Sequence, residues 1–223
     1  MKLRNLLAMA FVALLAVGCS DDEEGTNPGV QGEKTVEVIT ADYSNWNYVN
    51  LKTGEICGAA TVPGPWKYLD ADKNVKSEKD PEMKGEVPAE WDLAFHYYEI
   101  KTNDGEAVAV NAKSLEEVKS VPTAGFTKDV KVTAEDQIFT VDMAQMQKGQ
   151  VGYAGGLHNP VLYDWVTRTP TGSMPPILYD VDKTKIFIVK LKNGDCYKLK
   201  FLDRLDATGK KKLVKFYYSK MDK

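Results

Sequence analysis

Two alternating apolar runs that meet at Asn193-Gly194 constrain this chain more tightly than any other stretch. Ile186 to Phe201 reads as a β-hairpin. Strand side chains alternate between faces, so a slip of one residue in the pairing would exchange core and solvent faces throughout. A two-residue turn at Asn193-Gly194 sets Val189 against Lys198 and mixes the faces. A three-residue loop, Lys192-Asn193-Gly194 with Gly194 left-handed, sets Val189 against Tyr197 and Phe187 against Leu199. Lys190 then meets Cys196 on the other face. The pleat selects the three-residue loop.

The same alternation recurs elsewhere. Thr35 to Thr40 and Trp46 to Leu51 read as half-buried strands, followed by a turn at Lys52-Thr53-Gly54-Glu55. Trp91 to Ile100 is aromatic and β-rich and runs to the turn signal Asn103-Asp104-Gly105. Leu213 to Tyr218 supplies a last strand beyond Asp206-Ala207-Thr208-Gly209. Helix is scarce: Ser114 to Lys119 begins like a capped helix, with Glu117 at the capping-box position, and stops before Pro122. The stretch from Gln137 to Leu178 is rich in Gly, Pro and polar residues and lacks strong periodicity. Loops of this length in a compact domain are usually functional, so the site is expected there. The expected fold is a single, mainly β domain of antiparallel hairpins over residues 35–223.

The N-terminus bears on where such a domain works. Lys2 and Arg4 precede an apolar run from Leu6 to Val17. The run has the length of a secretory signal and falls short of the ~20 residues a membrane-spanning helix needs. Leu15-Ala16-Val17-Gly18-Cys19 looks like the lipobox of bacterial lipoproteins, in which the cysteine is acylated. Ser20-Asp21-Asp22-Glu23-Glu24 resembles the acidic export tag of Bacteroidetes surface lipoproteins. Residues 1–18 are therefore expected to be a signal peptide, Cys19 the lipidation site and residues 19–34 an acidic tether. The expected location is the outer membrane, lipid-anchored and facing outward. Losing Lys2 and Arg4 with the signal moves the net charge from −3 to −5. Asp21, Asp22, Glu23 and Glu24 carry most of that, so the domain is nearly neutral and lacks the basic footprint of a nucleic-acid-binding protein.

With Cys19 assigned to lipid, two of the three cysteines remain. An oxidising compartment permits Cys57 and Cys196 to pair, but the sequence does not fix their separation, and the bridge stays open. No CxxC, HExxH or GxSxG motif is present, so neither a zinc site nor a serine hydrolase is supported, and the chain is expected not to be an enzyme. His96, among strand aromatics, reads as a structural, hydrogen-bonded residue. His158, in Gly155-Gly156-Leu157-His158-Asn159-Pro160, is freer to meet a ligand. Met143, Met146 and Met174 all fall in the loop-rich stretch. Methionine commonly fills gaps in cores, yet its thioether also serves as an axial ligand to haem iron. Tyr153, Tyr163 and Trp165 lie between these methionines and offer walls for a flat macrocycle, with Lys148 and Arg168 available to pair with propionates.

The succession Trp91-Asp92-Leu93-Ala94-Phe95-His96, Lys101-Thr102-Asn103, Pro175-Pro176 with Tyr179, then Ile188-Val189-Lys190, Asn193-Gly194 and Lys198-Leu199-Lys200-Phe201 resembles the HmuY-family haem-binding lipoproteins of Porphyromonas, Bacteroides and relatives. Trp46-Asn47-Tyr48-Val49-Asn50-Leu51-Lys52-Thr53-Gly54 fits the same pattern. The resemblance implies a nearly all-β fold that grips one haem b between finger-like loops. It further implies haem taken from host haem proteins and passed to a TonB-dependent outer-membrane receptor. Two histidines ligate iron in the founding member and methionines in some relatives. Here the corresponding loops carry methionines, so the ligand pair implied is Met146 with Met174, and Met143 as the substitute. A soft, neutral thioether favours ferrous over ferric iron. The competing expectation is a glycan- or protein-binding accessory lipoprotein on the same scaffold, using Trp66, Tyr68 or Tyr163.

Overall fold

The computed structural model describes residues 33–70, 72–133, 137–140, 151–173 and 177–222. In chain order the first strands are β1 (Lys34–Ile39), β2 (Asn45–Asn50), β3 (Glu55–Thr61), β4 (Trp66–Leu69), β5 (Val75–Lys79), β6 (Leu93–His96), β7 (Glu99–Thr102), β8 (Glu106–Asn111) and β9 (Thr127–Lys128). They are followed by β10 (Val130–Lys131), β11 (Ile138–Phe139), β12 (Val151–Ala154), β13 (Leu157–His158), the helix α1 (Pro160–Tyr163), β14 (Val166–Pro170), β15 (Ile177–Val181), β16 (Lys185–Lys190), β17 (Cys196–Leu205) and β18 (Lys212–Lys220). The described pairings are antiparallel, as the mainly β expectation requires.

Three sheets stack into layers. The largest has the order β1-β18-β17-β16-β8-β9, the middle one β3-β2-β6-β7, and the third β11-β12-β4-β5. At β6 the middle sheet is buried on both faces, which explains why that strand is apolar at every position but its last, whereas the edge strand β3 is largely exposed. Its Val49, Leu93, Phe95 and Ile100 pack with Val38, Phe187, Leu199, Phe201 and Phe216 of the large sheet. On its other face, Trp46, Tyr48 and Ala94 pack with Ile138 and Ala154 of the third sheet. The far face of the large sheet is covered by Leu115, Val118 and Met221 over Ile186, Ile188 and Cys196. Truncating a fully buried ring such as Phe95 would cost about 3–5 kcal/mol.

The β16–β17 hairpin has the register the pleat demanded. Phe187 faces Leu199, Val189 faces Tyr197 and Lys190 faces Cys196. Gly194 has φ +82° with open space where a Cβ would stand. Cys57 is exposed and Cys196 buried, and they form no disulfide, which answers the question the sequence left open. Other expectations are corrected. Ser114 makes no side-chain cap; only one 3₁₀ turn forms over Leu115–Glu117, and the Glu117 carboxylate instead accepts from the Lys113 amide at 2.8 Å. The segment read as one long loop contains the β11–β12 hairpin, α1 and the β14–β15 hairpin. Asn159 caps α1, its side chain accepting from the amides of Val161 and Leu162, with Pro160 inside the first turn. Cys19, Met143, Met146, Lys148 and Met174 lie outside the described residues.

Candidate functional site: an aromatic platform between two hairpins

The strands β6 and β7 are joined by the two residues Tyr97 and Tyr98, because His96 pairs directly with Glu99. Tight hairpin turns select Gly, Asn or Asp, since one or both central residues take positive φ. Here Tyr97 takes φ +49°. For a bulky side chain that is a strained conformation, of the kind that gathers at functional sites. What holds it is aromatic packing. The Tyr97 and Tyr98 rings lie 3.7 Å apart between centroids, and their hydroxyls hydrogen-bond to each other.

The two rings are the centre of a row. Tyr153 lies 5.7 Å from Phe139, Phe139 lies 5.2 Å from Tyr43, and Tyr43 lies 5.3 Å from Tyr97. On the other side, Tyr98 stacks on Tyr179 at 4.0 Å. Phe139 and Tyr153 are direct cross-strand partners on the face opposite the Ile138–Ala154 core pair, which turns them away from the interior. The row begins in β12, the strand that follows residues 141–150 in the sequence, and ends in β15, which follows residues 174–176. In the chain, Met143 and Met146 thus precede one end of the row and Met174 the other.

His96 props the middle of the row from behind. Its ring is 1% exposed. Nε2 lies 2.7 Å from the Tyr43 carbonyl, which only accepts, so Nε2 donates. Nδ1 lies 3.0 Å from Glu99 Oε2, and that contact needs one further proton, on imidazole or carboxylate. Tyr43 is fixed further by its neighbour Asp42, which accepts from the Ser44 amide and hydroxyl and from Asn45. His96 is therefore a positioning residue for Tyr43.

Cations rim the surface. Lys212 Nζ lies 4.4 Å from the Tyr43 ring centroid and 4.3 Å from that of Tyr97. Burial pulls its ammonium below the usual lysine range. Arg204 stands close enough to Tyr97, Tyr98 and Tyr179 for its charge to ease their ionisation, against a larger opposing effect of burial that keeps all three hydroxyls above the ordinary phenol value. At the far edge, the Arg168 guanidinium stacks 3.5 Å over Tyr163 and donates to the carbonyls of Tyr163 and Val166. Arg168 pairs across the hairpin with Tyr179.

The sequence candidates fall unevenly around this surface. Tyr153 belongs to the row, and Arg168 and Tyr163 flank its far end. Trp165 is wholly buried in the main core, with its indole N–H donated to the Tyr98 carbonyl at 3.1 Å, so it supports the row from beneath and offers no wall. His158 is 5% exposed and packs edge-on to Tyr163 at 5.1 Å. Its Nδ1 has no hydrogen-bond partner among the described residues. The sequence reading missed Tyr43, Tyr97, Tyr98, Phe139, Arg204 and Lys212. Tyr179 was quoted only as part of the family pattern.

A family model described as HmuY protein matches residues 42–218. The chain belongs to the HmuY family. Among solved structures it is similar to the apo HmuY analog of Tannerella forsythia, at 28% identity and a TM-score of 0.71, covering 86% of this chain and 96% of that one. It is also similar to apo PinO from Porphyromonas gingivitis, at 27% identity and a TM-score of 0.70, covering 87% of this chain and 100% of the other. No curated protein sequence matches the chain. As an HmuY-family member it is mostly β, with the family's antiparallel layers, and the platform described above lies within the matched span.

Proposed function

We propose that this protein is a surface lipoprotein that binds haem b on the tyrosine platform, between the two hairpins, and serves haem acquisition. Met146 and Met174 supply the axial thioethers, with Met143 as the substitute. Acylation of Cys19 tethers the protein to the outer face of the outer membrane. Its haem comes from host haem proteins and leaves to a TonB-dependent receptor. The observation that carries the reading is the row from Tyr153 to Tyr179, a continuous succession of packed rings, all half-buried but for the buried Tyr98, that runs from the strand following residues 141–150 to the strand following residues 174–176. Aromatic walls with a few placed polar groups are what a flat, largely apolar ligand requires. Membership of the HmuY family supports the same ligand class.

The test is an absorbance titration of the chain from residue 20 with haem, first in air and then with dithionite. The expected result is one-to-one binding, a marked reduced-state spectrum and tighter binding of ferrous haem. Met146→Ala or Met174→Ala should abolish that spectrum. Equal affinity in the two redox states would remove thioether ligation, and a flat titration in both would remove haem.

A glycan-binding reading rests on one feature, a cleft of about 230 Å³ lined by Trp66 and Tyr68 with Asp80 and Glu82 at its rim. Sugar binding there would quench Trp66 fluorescence and would be indifferent to haem.

A further inference from the structure

Many cations of the large sheet have a hydrogen-bonding partner: Lys34, Lys198 and Lys200 donate to backbone carbonyls, and others pair with carboxylates. Lys190 pairs with Glu106 at 2.9 Å, Lys220 with Asp195 at 2.7 Å, Lys185 with Asp182 at 3.2 Å and Lys215 with Glu37 at 3.8 Å. Arg204 and Lys212, at the platform end of β17 and β18, have no carboxylate partner among the described residues, and both are partly buried. Two nearby acids are committed elsewhere: Glu99 is held by His96, and Asp206 accepts from Thr208 and the amides of Lys210 and Lys211. Asp203 is exposed to solvent.

A partly buried cation with no counter-ion is costly unless something supplies the negative charge. Local geometry serves that end. The β17–β18 ladder is interrupted between Phe201 and Asp203 and again between Asp203 and Leu205, and such irregularities re-aim side chains beside a site. The ring faces of Tyr43 and Tyr97 hold the Lys212 ammonium by attraction alone, leaving its N–H donors uncommitted.

We propose that Arg204 and Lys212 form a carboxylate clamp beside the tyrosine row, so that the platform recognises a planar tetrapyrrole through its ring and its two acid groups, independently of the iron. The ligand class widens from haem to metal-free porphyrin diacids. This rests on the haem-binding reading above and adds a recognition element to it.

The test uses three ligands added from the same mixed solvent to the chain from residue 20: ferric haem, metal-free protoporphyrin and its dimethyl ester. Porphyrin fluorescence and Soret absorbance give the affinities. Protoporphyrin should bind one-to-one with an affinity within about tenfold of ferric haem, because two charge-assisted hydrogen bonds are retained. The dimethyl ester should bind about ten- to a hundredfold more weakly, the loss that such bonds carry. Lys212→Ala and Arg204→Gln should each shrink the gap between acid and ester, and Lys212→Arg should restore it. Circular dichroism and thermal melting check that each variant is folded. Should one variant fail to fold, the acid-to-ester ratio of the wild-type chain still decides. Haem binding without protoporphyrin binding would overturn the clamp and leave haem recognition by iron. Equal binding of acid and ester would overturn the role of the cations. Absence of binding by all three would overturn the haem reading itself, and the clamp with it.

Discussion

Two hairpin turns in this protein obey opposite rules. At the end of β16, Lys192-Asn193-Gly194 places glycine at φ +82°, where nothing stands within reach of a missing Cβ. At the end of β6, Tyr97 takes φ +49° in a turn made of two tyrosines. The first turn is chosen for its backbone, and the Asn193 side chain braces it by accepting from the Asp195 amide. The second is chosen for its side chains, and the backbone accommodates them. Natural sequences break local rules where function compensates, and the broken rule here lies at the middle of the platform.

The comparison can be pressed by substitution. Tyr98→Ala should give the largest effect. It removes a buried ring stacked on Tyr179 and Tyr97, for a loss of about 3–4 kcal/mol in chemical denaturation together with ligand binding. His96→Ala strands the Tyr43 carbonyl and the Glu99 carboxylate. The expected loss is about 2–3 kcal/mol, and a His96→Gln variant should recover part of it. Gly194→Ala should cost about 1 kcal/mol through φ alone and leave ligand affinity unchanged. Tyr97→Gly separates the two turns most sharply. Relief of the turn offsets the lost ring, so stability should shift by less than about 1 kcal/mol while affinity falls about tenfold. An unchanged affinity would mean that the strained tyrosine serves the fold only.

The smallest expected effect contrasts Lys212 with a cation enclosed by the fold. Lys101 Nζ lies 4.4 Å from the Trp46 ring centroid and near the rings of Tyr48 and Trp91, and burial pulls its pKa down to about 8. The folded chain therefore holds this proton less tightly than the unfolded chain, so stability should rise as pH climbs from about 8 toward the ordinary lysine value of 10.5. Above pH 10 the sign reverses, because burial raises Tyr48 and Tyr218 to about 12 and the folded state resists their ionisation. Melting curves of wild type and Lys101→Met across pH 7–10 isolate the lysine: the rise should shrink in the variant to the share left by Lys212, whose pKa burial also lowers.

Much of the fold was legible because its strongest signals are local. The β16–β17 register followed from the pleat and one glycine, and the outer strands from alternation of period two. The Tyr97-Tyr98 break in Trp91 to Ile100 was not legible, since no turn residue marks it and tertiary stacking alone explains its backbone. The two hairpins within Gln137 to Leu178 were hidden for a related reason. β11 pairs through two residues and β14 alternates without large apolar side chains, so neither run announces itself. Asn159-Pro160 did carry a helix-start signal, and α1 follows from it. Of the candidate platform, the sequence reached Tyr153 and, at its far edge, Tyr163 and Arg168. The platform draws Tyr43, Tyr97, Phe139, Tyr179, Arg204 and Lys212 from separate strands and loops, and only register and the irregular β17–β18 ladder bring them together.

The most direct test of the account is a crystal structure of the chain with ferrous haem. The account predicts the macrocycle seated along the row of Tyr43, Tyr97 and Tyr179, its iron between thioethers of the two hairpin loops. A macrocycle seated elsewhere, with that row left bare, would contradict it.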